Sequence, residues 1–84
     1  MSPRTNAQFD EIRQRSRQRI MDAALELFGS MGYQATSISK IAKAAGISKG
    51  LMYNYFASKH ELLEAIILAE AEAGAKWWHE ILER

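Results

Sequence analysis

Residues 38–55, ISKIAKAAGISKGLMYNY, decide how the rest of the chain is read. Ile38, Ile41, Ala42 and Ala45 recur at i, i+3, i+4 and i+7, one apolar face of a helix about two turns long. Gly46 follows at once, and glycine takes the left-handed conformation that ends a helix without a Cβ clash. Ile47 is apolar and suits the corner. Ser48 is a good N-cap, its hydroxyl placed to accept an orphan N–H of a second helix over residues 49–55. Helix, short glycine turn, helix is the layout of a DNA-binding helix-turn-helix.

Read as a recognition helix, the second segment turns Met52 and Phe56 to the core with Ile47, and Lys49, Gly50, Leu51, Tyr53 and Asn54 outward. Lys49 suits a phosphate or a guanine edge, and Asn54 an adenine edge or a phosphate. Gly50 admits close approach of a backbone to a duplex. Leu51 suits a thymine methyl, although a single exposed leucine is ordinary on any surface. The hydroxyls of Tyr53 and Tyr55 suit phosphate oxygens, which fix register without reading sequence. The plainer alternative makes both tyrosines partly buried aromatics and Lys40, Lys43 and Lys49 solvated charges. Thr36, Ser37 and Lys59 lie at or beside helix starts, where amides and the helix dipole favour a phosphate, and Lys40 and Ser48 complete the expected DNA-binding set.

At 84 residues the chain is one small domain, and with 48% hydrophobic residues it supports a modest helical core. So short a chain buries a limited fraction of its surface, so stability is expected to be marginal without a partner. It has no cysteine, which removes disulfides and thiolate metal sites and fits a reducing cytoplasm. No apolar run is long enough to cross a membrane, and the N-terminus lacks a signal-peptide core. The net charge of +1 hides an asymmetry. Residues 1–60 carry nine Lys/Arg against four acids, and residues 61–84 carry two against six. A front of +5 and a back of −4 point the front at a polyanion.

Residues 1–9 are polar and are expected to form a flexible arm. Asp10 and Glu11 open a long helix whose buried face is Ile12, Ile20, Ala23, Ala24, Leu27, Phe28 and Met31. Arg13, Arg15, Arg17 and Arg19 alternate, so a helix spreads them around its circumference; they read as a solvated helix start or, for one or two, as phosphate contacts. Gly32 is expected to end this helix, with Tyr33 folding back. Thr36 or Ser37 caps the next helix, which exposes Lys40 and Lys43. Ser58 and Glu61 form a capping box for a last helix, about 35–40 Å long, that runs toward the C-terminus. Leu62, Leu63, Ile66, Ile67, Ala69, Ala73, Trp77, Ile81 and Leu82 give that helix a broad apolar face.

The run TSISKIAKAAGISKGLMYNYFASKHELLEAI closely resembles the DNA-binding domain of TetR-type transcriptional regulators. The pieces that carry the resemblance are ALELFGSMGYQATS, IAKAAGISKG and YNYFASKHELL, and it extends over residues 19–67. It implies an all-α fold, with a three-helix DNA-binding domain over residues 10–67 and a longer fourth helix. It further implies a bacterial repressor, acting as a homodimer on a palindromic double-stranded operator and released by a small-molecule effector bound outside this chain. On the family pattern Thr36, Ser37 and Lys59 meet phosphate, Lys49 to Asn54 enter the major groove, and Tyr53 and Tyr55 touch the backbone. Leu51, Asn54 and Ala57 depart from the residues frequent at those positions; the first two affect the preferred base sequence and not the fold. Residues 68–84, ending in WWHEILER, are expected to lead toward a ligand-binding and dimerisation domain.

No cofactor and no metal are expected: His60 and His79 are too far apart on one helix to share an ion. No nucleophile motif and no glycine-rich phosphate loop is present, so an enzyme is not expected. The expected location is the bacterial cytoplasm, at the nucleoid. The alternative function is a small helical interaction module that docks its last helix in a partner groove. It accounts for Trp77 and Trp78 but not for the basic front.

Overall fold

The computed structural model describes residues 6–82, the side chains of residues 77–81 excepted. Expectations for residues 1–5 and for the side chains of Trp77, Trp78, His79 and Ile81 lie outside the described residues. Four helices follow one another: α1 (Asn6–Met31), α2 (Ile38–Ala45), α3 (Lys49–Met52) and α4 (Lys59–Leu82). No helix is long and apolar enough to cross a membrane among the described residues.

Helix α1 begins at Asn6, ahead of the expected Asp10. Asn6, Ala7, Gln8 and Phe9 contain no breaker, and alanine and glutamine favour the helix, so nothing stops it from extending backward. Those four residues are therefore helix and not arm. At the other end Gly32 takes φ +86° and donates its N–H to Phe28 O at 3.0 Å. The Tyr33 ring then folds back on Phe28, centroids 5.1 Å apart.

The core is small. Ile20, Met21 and Ala24 of α1 meet Ile41, Ala42 and Ala45 of α2, Met52 of α3, Phe56, and Leu62 and Ile66 of α4. Ala23, Leu27, Phe28, Ile38, Ile47 and Tyr55 pack around it. Ile12 and Met31, expected inside, are exposed because α1 overruns the core at both ends. Met21 is buried in their place, against α4. There Met21 and Leu25 face Ile66 and Ala69 across a shallow groove. Ile67 and Ala73 of α4 are exposed rather than buried, and residues 70–76 are all exposed, so α4 leaves the core after about three turns.

Candidate DNA interface

Local hydrogen bonds set the helix-turn-helix. Ser37 is the N-cap of α2: its Oγ accepts the Lys40 N–H at 3.1 Å. Gly46 ends α2 at φ +74°. The Ile47 N–H returns to Ala42 O at 3.0 Å and the Gly46 N–H to Lys43 O at 3.2 Å, the paired bonds of a glycine C-terminal motif. Two residues on, Ser48 caps α3, its Oγ accepting the Leu51 N–H at 3.0 Å.

Helix α3 is shorter than expected, four residues rather than seven. Beyond Met52 the chain tightens: Asn54 N–H bonds Leu51 O and Tyr55 N–H bonds Met52 O, both three residues back. The tighter turn brings Phe56 into the core, where it is 2% exposed. Met52 is fully buried and Ile47 half-buried, so the expected inner face holds. Lys49, Gly50, Leu51, Tyr53 and Asn54 are all exposed. Tyr55 is half-buried, with the Arg13 guanidinium 5.3 Å from its ring centroid.

A second group gathers where α4 begins. Lys59 Nζ donates to Tyr33 O at 2.7 Å and to Thr36 O at 3.1 Å, and lies 4.1 Å from the Tyr33 ring centroid. The first turn of α4 is thereby tied to the turn between α1 and α2. Ser58 Oγ accepts the Glu61 N–H, while the Glu61 carboxylate takes the Ala57 N–H, one residue before the amide of a regular capping box. Lys40 is exposed, its Nζ 3.3 Å from Ala35 O.

Thr36 differs from its expected role. Its side chain is 1% exposed, with Oγ1 2.7 Å from Gly32 O and 3.3 Å from Leu27 O. It satisfies carbonyls at the C-terminal end of α1 from inside and offers no surface hydroxyl. Of the two candidate caps, Ser37 holds the position and stays exposed.

The four alternating arginines all have intramolecular partners. Arg15 pairs with Glu11. Arg13 lies over Tyr55, and Arg17 over Phe56 at 5.1 Å with Nη1 on the Met21 sulfur. Arg19 Nη2 donates to Ala45 O at 2.7 Å. The contacts of Arg13 with Tyr55, Arg17 with Phe56 and Arg19 with Ala45 join residues far apart in sequence, and only the alternation itself is visible without the fold.

Within the helix-turn-helix and its flanks the outward charge is one-signed. Residues 27–60, which hold the helix-turn-helix and its flanks, contain four lysines and no Asp or Glu. A duplex carries a phosphate charge about every 1.7 Å along its axis, so such a stretch approaches it without like-charge opposition. Capped short helix, glycine corner, exposed polar residues on the second helix and an unopposed basic field are together the geometry of a major-groove reader.

Comparison with known proteins points the same way. The family described as "Bacterial regulatory proteins, tetR family" matches residues 20–66. The HTH-type transcriptional regulator UidR of Escherichia coli strain K12 is 39% identical over 70 residues, 83% of this chain and 36% of that protein. AcrR of Shigella flexneri, an HTH-type transcriptional regulator, is 44% identical over 62 residues, 73% of this chain and 29% of its own length. SrpR of Pseudomonas putida, another, is 39% identical over 67 residues, covering 80% and 30%. The chain thus spans about a third of the length of the curated relatives it matches. No solved structure matches it. The match from Ile20 through Ile66 covers the whole core and all of the helix-turn-helix, and the chain belongs to the TetR family of bacterial regulatory proteins, whose DNA-binding domain it carries.

Proposed function

We propose that this domain reads double-stranded DNA for a ligand-responsive repressor that binds a palindromic operator as a homodimer. The observation that carries the reading is the exposed run Lys49, Gly50, Leu51, Tyr53 and Asn54, held by the Ser48 cap inside a lysine-only stretch. In this reading Leu51 and Asn54 meet base edges, Lys49 a phosphate or a guanine edge, and Gly50 lets the backbone approach. Tyr53 and Tyr55 hold the sugar–phosphate backbone, with Ser37, Lys40 and the remaining donor of Lys59 on flanking phosphates. Ser48 acts through its cap, and Thr36 through the turn it braces.

Dimerisation and effector binding fall to the part of the full-length protein beyond this chain. Half-sites of such a dimer lie about 34–36 Å apart, one helical turn of DNA. The role is regulatory and not catalytic, in the bacterial cytoplasm at the nucleoid. A docking module built on α4 is the competing reading, and exposed Ile67 and Leu68 favour it. It leaves the basic helix-turn-helix without a use.

Joint replacement Lys49→Gln and Tyr53→Phe separates the two. Both side chains are exposed, so the melting curve is expected to stay where it is. DNA affinity is expected to fall about a hundredfold, the loss of two polar contacts. Retained DNA affinity, with loss of a protein partner instead, contradicts the regulator reading.

A further inference from the structure

We propose that Arg19 is a positioning residue for DNA reading: it fixes the corner between α2 and α3 through the last carbonyl of α2. The inference deepens the reading of the α3 surface given above and rests on it.

The argument starts from the carbonyls that α2 leaves open at its end. Ala42 O and Lys43 O receive the amides of Ile47 and Gly46. Ala45 O receives Arg19 Nη2 at 2.7 Å, a charge-assisted bond from a helix 26 residues away in sequence. That oxygen belongs to the peptide plane joining Ala45 to Gly46, where the chain turns into the left-handed conformation. Holding the oxygen holds the direction in which the chain leaves α2 toward Ile47 and Ser48. A guanidinium at a helix C-terminus is also favoured by the helix dipole.

Three further observations make this corner worth holding. Helix α3 has only four residues, too few to keep its own orientation, since a lone helical turn is unstable in water. Arg19 directly precedes Ile20, which is fully buried, so its backbone is anchored in the core. A Cβ built on Gly46 would stand 3.3 Å from Arg19 Nη2, so the guanidinium is seated directly against the glycine corner. Arg19 thus ties α1 to the one peptide plane that aims α3.

The test uses Arg19→Gln and Arg19→Lys with two readouts. In amide hydrogen exchange, Arg19→Gln is expected to lower the protection of Ile47 and Met52 about tenfold, the worth of one charge-assisted bond, with Ala24 and Ile66 unchanged. In DNA binding, the preference for a half-site selected by the wild-type domain from a randomised duplex library over a scrambled duplex is expected to fall about tenfold, with the salt slope on scrambled DNA unchanged. Arg19→Lys keeps a donor and the charge and recovers part of both losses. Unchanged protection at Ile47 and Met52, or equal loss across the core, overturns the proposal. So does a salt slope reduced by about one with preference intact, the signature of a phosphate contact. A wild-type chain that prefers no sequence sinks the reading of α3 itself, and the exchange arm still decides whether Arg19 holds the corner.

Discussion

Lys59 donates to the carbonyl of Tyr33 at 2.7 Å while its ammonium sits 4.1 Å from the centre of that tyrosine's ring. One side chain at the start of α4 therefore closes the turn between α1 and α2, with Thr36 O as its second acceptor. Lys59→Met keeps the aliphatic stem and removes the donors. The half-buried site discounts the charged bonds to about 1–2 kcal/mol, and the melting temperature should drop by roughly 4–8 °C per kcal/mol in a domain of this size. A thermal melt followed by circular dichroism checks it. An unchanged melting temperature would show the contact to be worth nothing, leaving Lys59 free for phosphate.

Thr36 and Ser37 are neighbours with opposite assignments. Thr36→Val should cost about 1–2 kcal/mol by leaving the carbonyl of Gly32 without its buried donor, while DNA affinity per folded molecule stays the same. Ser37→Ala should cost about 1 kcal/mol as a lost cap and also weaken DNA binding. Urea denaturation and fluorescence anisotropy measure the two effects separately. Weakened DNA binding by folded Thr36→Val protein would restore a direct role for that hydroxyl.

Gly46 and Gly50 also part company. Gly46 sits at φ +74° beside the Arg19 guanidinium, and alanine there should lose about 1–2 kcal/mol. Gly50 has no positive φ, and a Cβ on it meets nothing within 4 Å. Gly50→Ala should therefore leave stability unchanged or raise it by up to about 1 kcal/mol. If the backbone of α3 lies close against DNA, the same change lowers affinity about tenfold by holding the duplex off. Full affinity in Gly50→Ala would remove Gly50 from the interface.

Much of this arrangement is legible in the chain because it is local. Ser37, Ser48 and Ser58 announce their helices, each hydroxyl meeting an amide three residues on, and Gly46 announces the corner. The inner residues Ile41, Ala42, Met52 and Phe56 follow from periodicity alone. Contacts across sequence are a different matter. Nothing near Arg19 names Ala45 as its partner, and nothing near Lys59 names Tyr33. A threonine beside a helix start reads equally well as cap or as buried brace, and only the packing of α1 against the turn decides for Thr36. The start of α1 was hidden because Asp10 and Glu11 resemble a first turn while Asn6 to Phe9 extend the helix unimpeded.

Lys49 is the simplest probe of the electrostatic part of the interface. It is exposed at the start of α3, and no carboxylate precedes Glu61 on that side of the sequence as far back as Glu26. Lys49→Gln should reduce the slope of log affinity against log salt by about 0.9 if it neutralises one phosphate. A slope that does not move, with altered base preference, would assign Lys49 to a guanine edge instead.

Selection of this domain against a randomised duplex library at two salt concentrations tests the central claim most directly. The account predicts enrichment of one short half-site, or of two arranged as a palindrome, read by Lys49, Leu51 and Asn54 and retained at the higher salt. Absence of binding even at low salt would contradict it.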